Sequence, residues 1–187
     1  MYYGTQSACA FGETIARFRT SIKLIAELEA IEDEEPLYPE LLGGVIPEDW
    51  RSGRWLGTTR LDPSLRFADL EDPRTAQILR SAPRLAECAV DLGLADIDRS
   101  TLNGPDREFT QEVARYIYEQ LDEHGGPMFA GLRYNSRLHS GWECWAISTD
   151  RLLHAPGVPD MIYADHPGLM EAARLPNLKI EVFGKLV

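Results

Sequence analysis

The stretch Gly131-Leu132-Arg133-Tyr134-Asn135-Ser136-Arg137-Leu138-His139-Ser140-Gly141-Trp142-Glu143-Cys144-Trp145-Ala146-Ile147 holds two runs of strand-favouring residues around a short polar linker. Aromatic and branched side chains predict strands over residues 128–135 and 142–148. A hairpin through Arg137–Gly141 is the economical connection. Alternation along the first strand then puts Leu132, Tyr134 and Ser136 on one face and Arg133, Asn135 and Arg137 on the other. Ser136 is thus a hydroxyl ending an otherwise apolar face, a common position for a ligand contact. A turn-forming serine is the other reading.

Outward from the hairpin, Phe109, Val113, Ile117 and Leu121 share one helical stripe, and Gly125-Gly126-Pro127 stops it. Asp72-Pro73 reads as an N-cap with proline at the first helical position. Ala82-Pro83 splits that region into two short helices, the second running to Leu92-Gly93. Between Asp96 and Asp106 lies a polar span. At the front, residues 2–5 have strand composition, and Ser7 reads as the N-cap of a helix. The apolar stripe of that helix is Ala8, Phe11, Ile15, Phe18, Ile22 and Ile25. Residues 27–44 turn acidic and are expected to form an exposed loop, because dense like charges resist packing. Arg54–Leu61 reads as a strand, residues 168–174 as a short helix and Leu178–Val182 as an alternating strand.

The chain has 187 residues, with 19 Lys and Arg against 30 Asp and Glu, for a formal charge of −11. That length fits one domain, 1–187. The charge argues against a main occupation on phosphate backbones, which call for a basic footprint. Three cysteines without CxxC spacing suggest neither a disulfide framework nor a zinc site, and a reduced, cytoplasmic setting is expected. No stretch approaches the roughly 20 apolar residues of a membrane helix. There is no GxSxG elbow, P-loop or GxGxxG turn. The histidines His124, His139, His154 and His166 lack metal-ligand spacing and read as turn residues, while Trp142, Trp145 and Phe129 read as core. Glu13 lies off the apolar stripe of its helix, four residues before Arg17, which fits a surface pair. Its small neighbours Ala10 and Gly12 also permit close approach of a ligand.

Several segments together carry a family resemblance. They are Tyr-x-x-x-x-Ser-x-x-Ala-x-x-Glu from Tyr2 to Glu13, Pro47-x-Asp49-Trp50-Arg51, Asp69-Leu70-x-Asp72-Pro73, Phe109-Thr110-Gln111-x-x-Ala114, Gly131-Leu132-Arg133-Tyr134-x-Ser136-Arg137 and Trp142–Ile147. In this order they resemble the RES-domain family over residues 2–148, leaving 149–187 as a C-terminal extension. The resemblance implies a compact α+β fold related to ADP-ribosyltransferases, with mixed or antiparallel sheets and flanking helices. It also implies cleavage of NAD⁺, as substrate rather than cofactor, at the nicotinamide–ribose bond, and no metal. Many members are toxins held inactive by a cognate antitoxin with a helix-turn-helix domain. Carried over residue by residue, Glu13 takes the family's glutamate position, Tyr2 its tyrosine and Ser136 its serine.

The family's arginine normally precedes the tyrosine, and here Met1 stands directly before Tyr2. An N-terminally shortened chain is the expectation that follows. The other two explanations are replacement by another arginine, such as Arg133, and loss of catalysis. Hydrolysis, phosphorolysis, ADP-ribosyl transfer to a protein and silent binding of NAD⁺ or a partner are all compatible with the sequence.

Overall fold

In the computed structural model, residues 2–29, 44–151 and 157–186 are described. In chain order the elements are β1 (Tyr2–Gly4), α1 (Ser7–Ile15), α2 (Ile22–Glu29), β2 (Val45–Ile46), α3 (Glu48–Ser52), β3 (Trp55–Leu56), β4 (Phe67–Asp69), α4 (Pro73–Arg80) and α5 (Pro83–Asp91). These are followed by α6 (Arg99–Leu102), α7 (Arg107–Tyr118), β5 (Gly131–Asn135), β6 (Glu143–Ile147), β7 (Asp160–Met161), α8 (Pro167–Arg174), β8 (Lys179–Val182) and β9 (Lys185–Leu186). The architecture is α+β, with mixed sheets and flanking helices. Packing divides the chain into two compact units, Met1–Thr5 with Thr59–Pro156, and Gln6–Thr58 with Gly157–Val187.

The first unit is built on a four-stranded sheet of order β1-β6-β5-β4. The expected hairpin is present, with β5 and β6 antiparallel and Arg133 opposite Trp145. β1 adds antiparallel to β6, and β4 adds parallel to β5. Core-facing Ala68 and Leu132 from the sheet join Leu79, Leu85, Phe109 and Val113 from the helices. The expected cap of α4 forms as local chemistry dictates. Asp72 accepts from the Arg74 amide at 2.9 Å, and Pro73 opens the helix where a missing N–H costs nothing.

The second unit joins α1 to α8 and carries two small sheets, β2-β8-β9 and β3-β7. Ala8, Phe11 and Ile15 of α1 are buried, and the Phe11 ring meets the His166 ring edge-on at 5.0 Å. Gly168 makes the close approach possible, since a Cβ there would meet Ser7 Oγ at 2.2 Å and the Ala8 nitrogen at 2.9 Å. Arg51 is buried and donates to the Glu181 carbonyl at 2.8 Å, tying α3 to β8.

Several expectations need correction. The long first helix ends at Ile15, passes through a 3₁₀ turn at Ala16–Phe18 and restarts at Ile22. Thr14 contributes to this ending: its hydroxyl donates to the carbonyls of Ala10 and Phe11 at 3.0 and 2.9 Å, competing with the backbone ladder. Ser7 is the first helical residue, with Gln6 at the cap position. Glu27 to Glu29 are helical rather than looped; residues 30–43 of the acidic loop, and His154, lie outside the described residues. The strand expected over Arg54–Leu61 shrinks to Trp55–Leu56, because its partner β7 is only two residues long. The polar span from Asp96 to Asp106 contains α6, whose Asp98 cap accepts from Thr101 at 2.9 Å. Leu121 lies beyond the end of α7 and is exposed. Among the described residues, no helix is long and apolar enough to cross a membrane.

Candidate functional site

Register fixes which side chains share a face of the first unit's sheet. Tyr3, Trp145, Arg133 and Asp69 form one row across all four strands, and Tyr2, Ala146, Leu132 and Ala68 form the next. Side chains alternate along a strand, so the two rows point to opposite faces. Leu132 and Ala68 belong to the helix-packed core, which assigns Tyr2 to that face and Arg133 to the other.

Arg133 sits among carboxylates. Its Nη1 donates to both oxygens of Asp69, at 2.8 and 3.0 Å, and its Nε donates to Glu143. Glu143 in turn accepts from the Thr5 hydroxyl, whose oxygen accepts from the Trp145 indole at 2.9 Å. The Thr5 hydroxyl, with Arg133 adding to it against the cost of burial, holds the Glu143 carboxyl below its ordinary pKa. The Arg133 guanidinium is pushed above its ordinary value, chiefly by Glu143, burial opposing and Asp69 adding. With two carboxylates already on one guanidinium, an incoming pyrophosphate meets like charge as well as donors.

Ser136 closes the hairpin. Its amide donates to the Trp142 carbonyl at 2.8 Å, and its hydroxyl oxygen accepts from the Leu138 amide at 3.0 Å. It is buried, and it lines a cleft of about 570 Å³ together with Arg99, Asn103 and Asn135. Glu71 organises that cleft: it accepts from the Asn103 side chain at 2.8 Å, the Asn135 amide at 3.0 Å and the Arg99 Nε at 2.6 Å. The turn-forming reading of Ser136 therefore describes its position, and the cleft leaves a binding role open.

Tyr2 is 80% exposed and lines a different cavity, of about 330 Å³, against Ile117 and Tyr118 of α7. Leu132 in the Tyr2 row precedes Ser136 by four residues, which separates the two along the strand direction by roughly 13 Å. Glu13 belongs to the second unit, exposed on α1. Tyr2, Arg133 and Ser136 thus share one unit but occupy three different surroundings.

Sequence patterning gave no role to Asp69, Glu143, Thr5 or Glu71. Glu143 was within its reach, because strand alternation puts Glu143 on the Trp145 face and hairpin pairing turns that face toward Arg133. Asp69 was not, since a parallel partner 64 positions away leaves no local signal. Of the histidines, His139 and His166 serve turns, each ring Nδ1 accepting from an amide two residues on, at 3.2 and 3.1 Å. Trp142 is core as expected. No family model matches this chain, and neither a curated protein nor a solved structure does.

Proposed function

We propose that this chain cleaves NAD⁺ at the nicotinamide–ribose bond, as its resemblance to RES domains implies, on a variant of the ADP-ribosyltransferase-like fold. The observation that supports the reading is the assembly of the first unit's sheet. Its four strands, β1, β4, β5 and β6, each include residues of a segment that carries the resemblance, although these segments lie up to about 140 positions apart.

In the proposed reaction the bond from ribose C1′ to the pyridinium nitrogen breaks, and the electron pair leaves with nicotinamide, quenching its ring charge. Positive charge builds on the ribose as in glycoside cleavage. Glu13 has the role of stabilising that charge more strongly in the transition state than in the substrate. Ser136 orients the substrate through its hydroxyl and Tyr2 supplies an aromatic surface. Water or inorganic phosphate takes the ribosyl carbon, with a proton released when water adds. A helix-turn-helix antitoxin is the partner that belongs to this reading.

Incubation of the purified chain with NAD⁺ and measurement of free nicotinamide tests it. Release is expected, with a loss of about 10²-fold or more in Glu13→Ala at unchanged circular dichroism. No release from the unmutated chain, or an unimpaired Glu13→Ala variant, overturns it. A second reading, a catalytically silent chain, is favoured by the Arg133 geometry, since the proposed replacement arginine is already committed to Asp69 and Glu143. Saturable NAD⁺ binding with no nicotinamide release would select it.

A further inference from the structure

The cavity beside α7 has a chemistry of its own. Ile117, Phe129, Leu132 and Ala146 give it an apolar side, Ser148, Thr149 and Asp150 a polar one, and two exposed tyrosines, Tyr2 and Tyr118, stand at it. Among the described residues that line it, Asp150 is the one carboxylic acid. The Tyr118 hydroxyl donates to Asp150 Oδ2 at 3.0 Å, and Arg151 Nε approaches the same oxygen at 3.9 Å. Asp150 Oδ1 therefore remains an acceptor with no partner among the described residues.

Arg151 holds the aromatic walls in place. Its two terminal nitrogens donate to the carbonyls of Phe129 and Tyr118 at 2.7 and 2.8 Å, and its guanidinium lies 3.8 Å from the centre of the Tyr118 ring. Arg151 is not among the residues that line this cavity, so it presents no donor pair there to a phosphate or carboxylate. One face of the Tyr118 ring is covered by the cation, which leaves the other for stacking.

We propose that this cavity binds one planar heteroaromatic ring carrying an N–H donor, which Asp150 Oδ1 accepts. Three observations select that occupant. The volume lies at the small end of the roughly 300–1,000 Å³ found for ligand pockets, which suits a single base and not a dinucleotide. Tyrosine rings and apolar walls favour a flat, desolvated partner. A carboxylate oxygen that enters contact with such a ligand loses water and needs a donor in exchange, so anions are rejected and a carboxamide or exocyclic amine is retained. The inference stands on the cavity and requires no turnover of NAD⁺.

Titration of the full chain with nicotinamide, adenine and nicotinate, followed by NMR at Tyr2, Tyr118 and the Ala114 methyl, tests it. Nicotinamide or adenine is expected to shift these signals at least 10-fold more tightly than nicotinate, and whichever binds more tightly identifies carboxamide or exocyclic amine as the donor. Asp150→Asn and Tyr118→Phe, which keep the walls, are expected to shrink that discrimination to about 2-fold, and Ala114→Phe to block binding by filling the cavity. No shift with either base, equal binding of nicotinate by the unmutated chain, or full discrimination in Asp150→Asn overturns the proposal. Base binding in a chain that releases no nicotinamide from NAD⁺ leaves this inference standing and removes the proposed reaction. NAD⁺ turnover in a chain that binds neither base does the reverse.

Discussion

Arg133 donates two hydrogen bonds from a single nitrogen to Asp69, and these bonds span the parallel seam between β5 and β4. That seam has only three registered pairs, and parallel pairing is slightly the weaker kind per residue. The ion pair therefore contributes where the ladder is least able to hold β4 alone. Because Asp69 is 42% exposed along its side chain, solvent screens part of the attraction.

Replacing Arg133 by methionine keeps the stem and removes the cation, leaving Asp69 and Glu143 facing one another across its place. A loss of about 1–2 kcal/mol in unfolding free energy is expected, larger than for an ordinary surface pair because two acceptors lose their donor together. Adding Glu143→Gln should recover part of it by removing the repulsion. Urea unfolding of the single and double variants reads this directly, and an Arg133→Met variant as stable as the parent would show the cluster to be neutral.

Acid should weaken the fold through carboxyls whose pKa is lowered by folding. Asp98, hydrogen-bonded first by the Ser100 hydroxyl and then by the Thr101 amide, has its pKa lowered from 3.8 to about 2. Glu143 is lowered too. A group with a depressed folded-state pKa binds its proton more readily when unfolded, so its contribution is complete above the unfolded value and is lost as pH falls through the folded one. For Asp98 that window runs from about 4 down to about 2. A carboxyl-carbon NMR titration is expected to give a midpoint near 2 for Asp98; a midpoint near 4 would mean that the cap on α6 is not formed in solution.

Elements with a signal among neighbours in sequence were readable, β1 and β8 included, while the distant pairings that join them were not. The Asp72-Pro73 cap, the α7 stripe of Phe109, Val113 and Ile117, and the β5–β6 hairpin all depend on residues within a few positions of one another. The break after Ile15 was hidden because Phe18 and Ile22 continue the helical spacing; only the Thr14 hydroxyl, bonded to two carbonyls, marks it. The same contrast applies to the candidate site. Ser136 was found through alternation and Arg133 through the resemblance, as a replacement for the family's arginine, yet the charges that define Arg133 come from β4 and β6, and the acid at the Tyr2 cavity comes from residue 150.

The α1–α8 contact depends on the absence of a side chain at one position. Gly168→Ala would drive a methyl into Ser7 Oγ and the Ala8 backbone, in a region where Ala8, Leu169 and Ala172 are all at most 3% exposed. Such overpacking costs roughly 1–3 kcal/mol. Ser7→Ala added to Gly168→Ala should return only part of that, since the Ala8 nitrogen remains in the way. Thermal unfolding of the two variants checks both the loss and the incomplete rescue.

Arg151 makes the most demanding prediction, because three different contacts converge on one guanidinium. Lysine has no planar fork with which to reach the Phe129 and Tyr118 carbonyls at once, so Arg151→Lys leaves at least one of them without its donor. A loss of about 1–3 kcal/mol is expected from that uncompensated acceptor. The local consequence separates this from a general weakening: the Tyr118 ring, no longer covered at 3.8 Å by the guanidinium, should flip faster, while Phe109 on the same helix keeps its buried environment. Aromatic NMR line shapes distinguish the two rings, and a Tyr118 ring unchanged in Arg151→Lys would show that the stacking does not order this wall of the cavity.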